Sequence, residues 1–224
     1  MNAIVNVNRS WGIGKDNELL CHIKEDMEFF KQKTLGKIII YGNNTLKSFP
    51  NKAPLANRLN IVISRNENNI LQESKDRSLF CRDIRIASEN SEKSPKYIFK
   101  FYNLYKEYVS KRFGRPILLY ANSIKKAVEY ARALAYDDDI FICGGESIYE
   151  QFMPYIDNAY VTKNNYKKEA DSFFPNLDRD SEWMISDQKA IMTESGEILE
   201  FWHYIKTNKF IEDNEKLTGK VKNY

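Results

Sequence analysis

Short apolar runs alternate along this chain with polar stretches whose apolar positions recur at helical spacing. Ala3 to Val7 is apolar except for Asn6 and predicts a buried strand. A glycine-bearing loop, Trp11 to Asn17, is expected next. Ile23, Met27, Phe30 and Thr34 then recur on one face and predict a helix over 23–34, which Gly36 is suited to end. Lys37 to Tyr41, with its three isoleucines, predicts a central strand. Gly42-Asn43-Asn44-Thr45 opens a short helix, and Asn60–Arg65 and Ile117–Tyr120 predict strands. Ser123 is placed to cap a helix carrying Ile124, Ala127, Val128, Ala131 and Leu134. The strand Asp139–Cys143 runs into Gly144-Gly145, and a short helix with Ile148, Tyr149, Phe152 and Met153 follows. Strands are expected again at Ala159–Thr162, Trp183–Asp187 and Leu199–Lys206.

Alternating strands and helices imply an α/β fold. Its central sheet should be mostly parallel and flanked by helices, with an antiparallel edge from the strand-rich last third. Asn66 to Arg115 breaks the rhythm. It is polar over Glu89–Lys96, then carries Tyr97, Phe101, Leu104, Tyr105, Tyr108 and Val109 at helical spacing. We read a single domain over 1–207 with an inserted segment at about 66–116, and a polar tail over 208–224. The insert's helix either packs on its own domain or offers a dimer contact or partner surface.

Composition narrows the function without naming it. Thirty-four basic residues nearly balance 31 acidic ones, a net charge of +3. Neither nucleic acid nor an anionic membrane is therefore expected as a partner. Three cysteines, an odd number with no close pairing in sequence, argue against a disulfide framework. No apolar run approaches the ~20 residues that span a bilayer, so a cytoplasmic protein is expected.

Ligands of a parallel sheet sit beyond the carboxyl ends of its strands. Asp26 is an acid on a helix face otherwise lined by Ile23, Met27 and Phe30. A carboxylate there is desolvated and suited to proton chemistry. Position alone also allows a solvated helix acid, since Glu25 and Glu28 adjoin it. Gly144-Gly145-Glu146-Ser147 and Gly42-Asn43-Asn44-Thr45 both lead from strand to helix, where backbone N–H groups meet phosphate. A plain turn and a plain N-cap remain the alternatives. Ser64 and Arg65 offer a hydroxyl and a cation for a 2′-phosphate, or a lone surface arginine. Arg58 has the planar fork that grips a carboxylate.

In order and spacing, the set Trp11-Gly12-Ile13-Gly14-Lys15-Asp16-Asn17, Asp26 with Phe30-Lys31, Thr34-Leu35-Gly36-Lys37, Tyr41-Gly42 with Thr45, Leu55 with Arg58, Asn60-Ile61-Val62, and Ile142-Cys143-Gly144-Gly145 with Ile148-Tyr149 and Phe152 resembles dihydrofolate reductase. The resemblance covers residues 1–65 and about 117–206. It implies NADPH-dependent reduction of dihydrofolate to tetrahydrofolate, with hydride passing from nicotinamide C4 to pterin C6 and a proton to N5. It implies no metal, and a cleft that also takes antifolate-type small molecules. A monomer is expected, with the insert as the candidate dimer contact.

By the same resemblance, Asp26 is the pterin-binding acid, Thr162 hydrogen-bonds around it, and Leu19 completes the catalytic set. Ile4, Met27, Phe30, Phe49, Leu55, Cys143 and Tyr149 wall the substrate pocket, and Arg58 holds the α-carboxylate of the glutamyl tail. The loop from Ile13 to Leu20 closes over nicotinamide, with Asn6, Ile13, Gly14, Asn17 and Leu19 on the cofactor side. Gly42, Asn43, Asn44, Thr45, Ser64 and Arg65 face the dinucleotide, as do Cys143, Gly144, Gly145, Glu146, Ser147, Ile148, Tyr149 and Gln151. The Gly144-Gly145 peptide takes the family's cis form.

Five positions depart from the family pattern. Leu20-Cys21 stand where Pro-Trp is usual, and Asn6 replaces a small apolar residue near the rings. Asn43 replaces a phosphate-binding arginine, and Asn44 a basic or histidine residue, which leaves Arg65 to carry NADPH preference. Two other readings compete: a related pterin- or pyrimidine-reducing enzyme of the same fold, and a non-catalytic nucleotide or folate binder.

Overall fold

The computed structural model describes residues 1–65 and 117–208. Eight strands form one sheet in the order β10-β11-β8-β1-β7-β4-β5-β6. They are β1 (Asn2–Val7), β4 (Ile38–Gly42), β5 (Leu59–Ile63), β6 (Ile117–Ala121), β7 (Ile140–Ile142), β8 (Asn158–Asn164), β10 (Trp183–Met192) and β11 (Ile198–Lys206). Pairings from β8 through β6 are parallel, and β11 joins both β8 and β10 antiparallel. The expected α/β sheet with an antiparallel C-terminal edge is therefore present.

The continuous apolar run of β4 follows from burial on both sides. Ile38 and Ile40 face one cluster, with Ala127, Ala131, Ile148 and Phe152. Ile39 and Tyr41 face the other, with Leu46 and partly buried Phe29 and Phe30. Helices α1 (Lys24–Thr34) and α2 (Asn43–Ser48) thus cover one face, and α3 (Ile124–Leu134) and α4 (Glu146–Phe152) the other. Ser123 caps α3 through its side chain, which accepts from the Lys126 N–H at 3.2 Å. Gly36 ends α1 with φ +75°, as glycine readily does.

Two expectations are corrected. Trp11–Asn17 is not a simple loop. It contains β2 (Gly12–Lys15) and leads into β3 (Glu18–Leu19), and with β9 (Ser172–Phe173) these build a second, three-stranded sheet. The turn between β2 and β3 is Asp16-Asn17, with φ +55° and +63°, the positive values a two-residue hairpin needs. Gly12 is required by close approach, since a Cβ there would lie 2.3 Å from the Ala170 Cβ. Second, β10 extends to Met192 rather than stopping at Asp187. Its second half is mostly exposed edge, held by pairing with β11 past an irregularity near Ile185 and Asp187, so no apolar alternation marks it.

β5 pairs directly with β6, Leu59 beside Ile117, so the segment 66–116 joins two neighbouring strands of the sheet. The helix expected over 97–109, and the tail beyond residue 208, lie outside the described residues. Among the described residues no helix is long and apolar enough to cross a membrane, and no cluster of His, Cys, Asp and Glu is arranged to hold a metal.

Candidate active site

Strands β1 and β7 are neighbours, yet β1 leads toward α1 on one face and β7 toward α4 on the other. Adjacent strands whose connections diverge open a crevice at their carboxyl edge. A cleft of ≈ 1440 Å³ occupies that edge. This exceeds the ~300–1,000 Å³ of a pocket for one drug-sized molecule, so there is room for two ligands side by side.

All the site residues expected from sequence line this cleft except Thr162. Thr162 is 1% exposed on β8 and acts from behind, on Asp26. Asp26 projects from the first turn of α1 and is half-buried. Burial pushes its carboxyl above the ordinary range, while Asn6 and Thr162 pull it back down. Among the described residues no charged partner holds it, so this is an acid waiting for donors rather than half of an ion pair. The apolar walls beside it include Met27, Leu19 and Phe30. Met27 and Leu19 remain over 40% exposed only because the cleft is open.

Arg58 is 7% exposed. Its Nε donates to the Thr34 hydroxyl and one Nη to the Ala56 carbonyl, both at 2.8 Å, and it lies over the Phe30 ring. Burial lowers its affinity for the proton, and no carboxylate pairs with it among the described residues. A guanidinium that is buried, oriented and without a counter-charge is a ready site for an anion entering the cleft.

The third wall is a glycine cradle. The Gly42 N–H donates to the Gly144 carbonyl and the Cys143 N–H to the Ile40 carbonyl, both at 2.8 Å, which locks the ends of β4 and β7 together. The Gly144-Gly145 peptide is cis, as the resemblance implies. A Cβ on Gly145 would stand 3.6 Å from the Thr45 hydroxyl, in the gap between the starts of α2 and α4. Across the mouth, the Asn44 amide donates to the Asn17 side chain at 2.9 Å and ties the β2–β3 turn to α2. The Tyr149 hydroxyl is spent on the Ile4 carbonyl at 2.7 Å, and burial raises its pKa well above normal. Burial likewise raises the Cys143 thiol, which is neutral here. Gly144→Ala is expected to destabilise the protein by about 1–3 kcal/mol. Gly144 has φ +105°, and an added Cβ would meet the Tyr149 ring at 3.2 Å. A fall in Tm checks this.

Sequence reasoning missed two groups. Asn60 is fully buried on β5 and organises the loop that carries Arg58. It accepts from the Leu55 N–H and the Tyr41 hydroxyl, and donates to the Leu55 and Arg58 carbonyls, at 2.9–3.1 Å. A polar residue inside an apolar strand was the available signal. Asn60→Ala strands these partners and should cost about 3 kcal/mol in urea unfolding. The second is Asn164, whose side-chain amide reaches both Asn6 and Cys21. Nothing in the local sequence of Asn164 marks it.

The family model described as dihydrofolate reductase matches residues 1–112 and again 109–206. Curated relatives carry the same name. One from Staphylococcus haemolyticus is 27% identical, covering 91% of this chain and 93% of its own. One from Neisseria meningitidis serogroup A is 30% identical, covering 87% and 90%. Among solved structures, dihydrofolate reductase from Enterococcus faecalis, complexed with NADP(H) and RAB-propyl, shares the fold at TM-score 0.60. It is 20% identical and covers 92% of this chain and 95% of its own.

Proposed function

The chain belongs to the dihydrofolate reductase family, and from that premise we infer how its cleft reduces dihydrofolate to tetrahydrofolate with NADPH, supplying one-carbon metabolism. The observation that carries the reading is the pairing, in one cleft, of an acid and a buried guanidinium that have no counter-charge among the described residues. A folate presents the complement: ring N–H and amino donors at one end, a carboxylate at the other.

Asp26 accepts from the pterin's ring N–H and amino group, and so fixes which ring face meets the cofactor. Its negative charge favours positive charge developing on the ring and hence protonation at N5, with water the immediate donor. Arg58 takes the α-carboxylate of the glutamyl tail, and Thr162 steadies Asp26 from behind. Ile4, Met27, Phe30, Phe49, Leu55 and Cys143 provide the walls.

The glycine cradle fits a dinucleotide, because a Cβ at Gly145 would fill the gap that the cofactor's phosphates need. Thr45, Asn44 and the residues from Gly145 to Gln151 would hold them, with Arg65 toward a 2′-phosphate. None of Asn43 to Thr45 or Gly144 to Gln151 is cationic, so these contacts are made by neutral donors. When bound, NADPH supplies the hydride that pterin C6 receives. The β2–β3 hairpin, tied to Asn44 through Asn17, keeps water from the rings. Alignment of this kind contributes up to ~7–11 kcal/mol to such a reaction.

We read the chain as one domain with an insert over about 66–116, cytoplasmic and monomeric, its cleft also open to antifolate-type molecules. Loss of NADPH absorbance on adding dihydrofolate tests the activity, and folded protein that binds both without turnover contradicts it. With NADH in place of NADPH, KM should rise in wild type but change little in Arg65→Ala. An equal NADPH advantage in Arg65→Ala would remove Arg65 from the 2′-phosphate.

A further inference from the structure

A line of side-chain amides runs from a backbone N–H to the site carboxylate. The Tyr166 N–H donates to Asn164 Oδ1 at 2.8 Å. That bond fixes which way the Asn164 amide faces, a choice that heavy-atom positions alone leave open. Asn164 Nδ2 then donates to Asn6 Oδ1 and lies 3.5 Å from the Cys21 sulfur. With its oxygen engaged, Asn6 must present Nδ2 on the other side. That nitrogen is sealed from solvent and has no hydrogen-bond partner among the described residues. The Asn6 side chain nonetheless favours the ionised form of the Asp26 carboxyl, as Thr162 does. β1 and β8 pair in register with Asn6 beside Thr162, so both side chains leave the sheet on the face that α1 covers.

We propose that Asn6 is a positioning residue: the relay from the Tyr166 N–H through Asn164 turns its Nδ2–H toward Asp26 and holds that carboxylate in place. A buried donor left unsatisfied is costly, and a carboxylate within reach is its best available acceptor. The relay also accounts for Cys21. A larger residue would crowd Asn164, while the thiol accepts its weak second bond and remains protonated, its pKa pushed up to about 11 by burial. Among the described residues, Asp26 is thereby tuned by two neutral donors, Asn6 and Thr162, and by no cation.

The other groups around Asp26 leave this assignment intact. On α1, Lys24 and Glu25 are both engaged with Glu194, and Glu28 and Lys31 are exposed. His22, before α1, is exposed at the cleft. From α4 comes the Tyr149 phenol, kept neutral by burial. Lys168 and Glu197 act on Cys21 with opposite sign.

This inference rests on the reading of Asp26 as the pterin acid, but its test does not need turnover. The full chain is labelled with carboxyl-¹³C aspartate, and the Asp26 resonance is identified by its loss in Asp26→Asn. Its midpoint is then followed with pH. Asn6→Ala should raise that midpoint by about one pH unit, the effect of losing one hydrogen bond to an ionised group. Asn164→Leu, which frees Asn6 to turn, should raise it less but in the same direction. An unmoved midpoint in whichever variant folds overturns the proposal, including when Tm falls. A turnover assay on the same samples separates this outcome from failure of the reductase reading.

Discussion

Asp26→Asn is expected to lower kcat/KM for dihydrofolate at least about a hundredfold while leaving the fold as stable as before, or more so. A positioned acid contributes about 10²–10⁴-fold to proton chemistry. The amide cannot replace it, because one end of the amide is itself a donor and meets the pterin's donors head on. The stability half follows from linkage. Asp26 binds its proton more tightly in the folded protein than a free carboxyl does, because burial penalises the charge. Below the ordinary carboxyl range both states are protonated and the group contributes nothing. As pH rises from there to the elevated folded pKa, the unfolded chain loses its proton first and stability falls. Above that pKa the penalty is constant. Asparagine carries none of it, so any gain in Tm over wild type appears at neutral pH and vanishes in acid. A variant that keeps its turnover near neutrality would take Asp26 out of its role.

Arg58→Leu is the companion case on the substrate side. It should weaken folate binding by ~2–5 kcal/mol, the range for breaking a desolvated charge pair. The loss should fall mainly on KM or Kd rather than on kcat. Its specificity can be checked with a pterin that lacks the glutamyl tail, which should bind wild type and variant equally. Thr34 loses its buried guanidinium partner as well, so a modest fall in Tm accompanies the change. If only NADPH affinity changed, or if the tail-less pterin were affected as much, Arg58 would not hold the carboxylate.

Most of the sheet was legible because its strands are short apolar runs bounded by glycine or polar residues, as at Ile38–Gly42 and Ile140–Ile142. α3 was legible to its cap because Ser123 precedes a clean apolar stripe. The β2–β3 hairpin was hidden because Gly12 and Gly14 break the alternation that would mark strands. Asp16-Asn17 was the readable turn signal within it. The distal half of β10 was hidden because an exposed edge strand needs no apolar pattern.

For the site, single residues reached only an acid on a helix and glycines at strand ends. Ordering the motifs by family resemblance then named a set of residues that, Thr162 aside, all line the cleft. It did not reveal why Asn6 and Cys21 stand where they do. Their reason lies in Asn164, far away in sequence and adjacent only because β1 pairs with β8. Arg58 was recognised as a carboxylate fork, but its support by Asn60 and Thr34 is a tertiary fact with no local signature.

The central claim is that this cleft passes hydride from the nicotinamide to the pterin. It is tested most directly with NADPH carrying deuterium at the transferring position of C4, mixed with dihydrofolate and purified protein. The product should be tetrahydrofolate with deuterium at C6, formed in step with NADPH loss and slowed severely by Asp26→Asn. NADPH consumption without deuterium at C6, or binding of both ligands with no product, would contradict it.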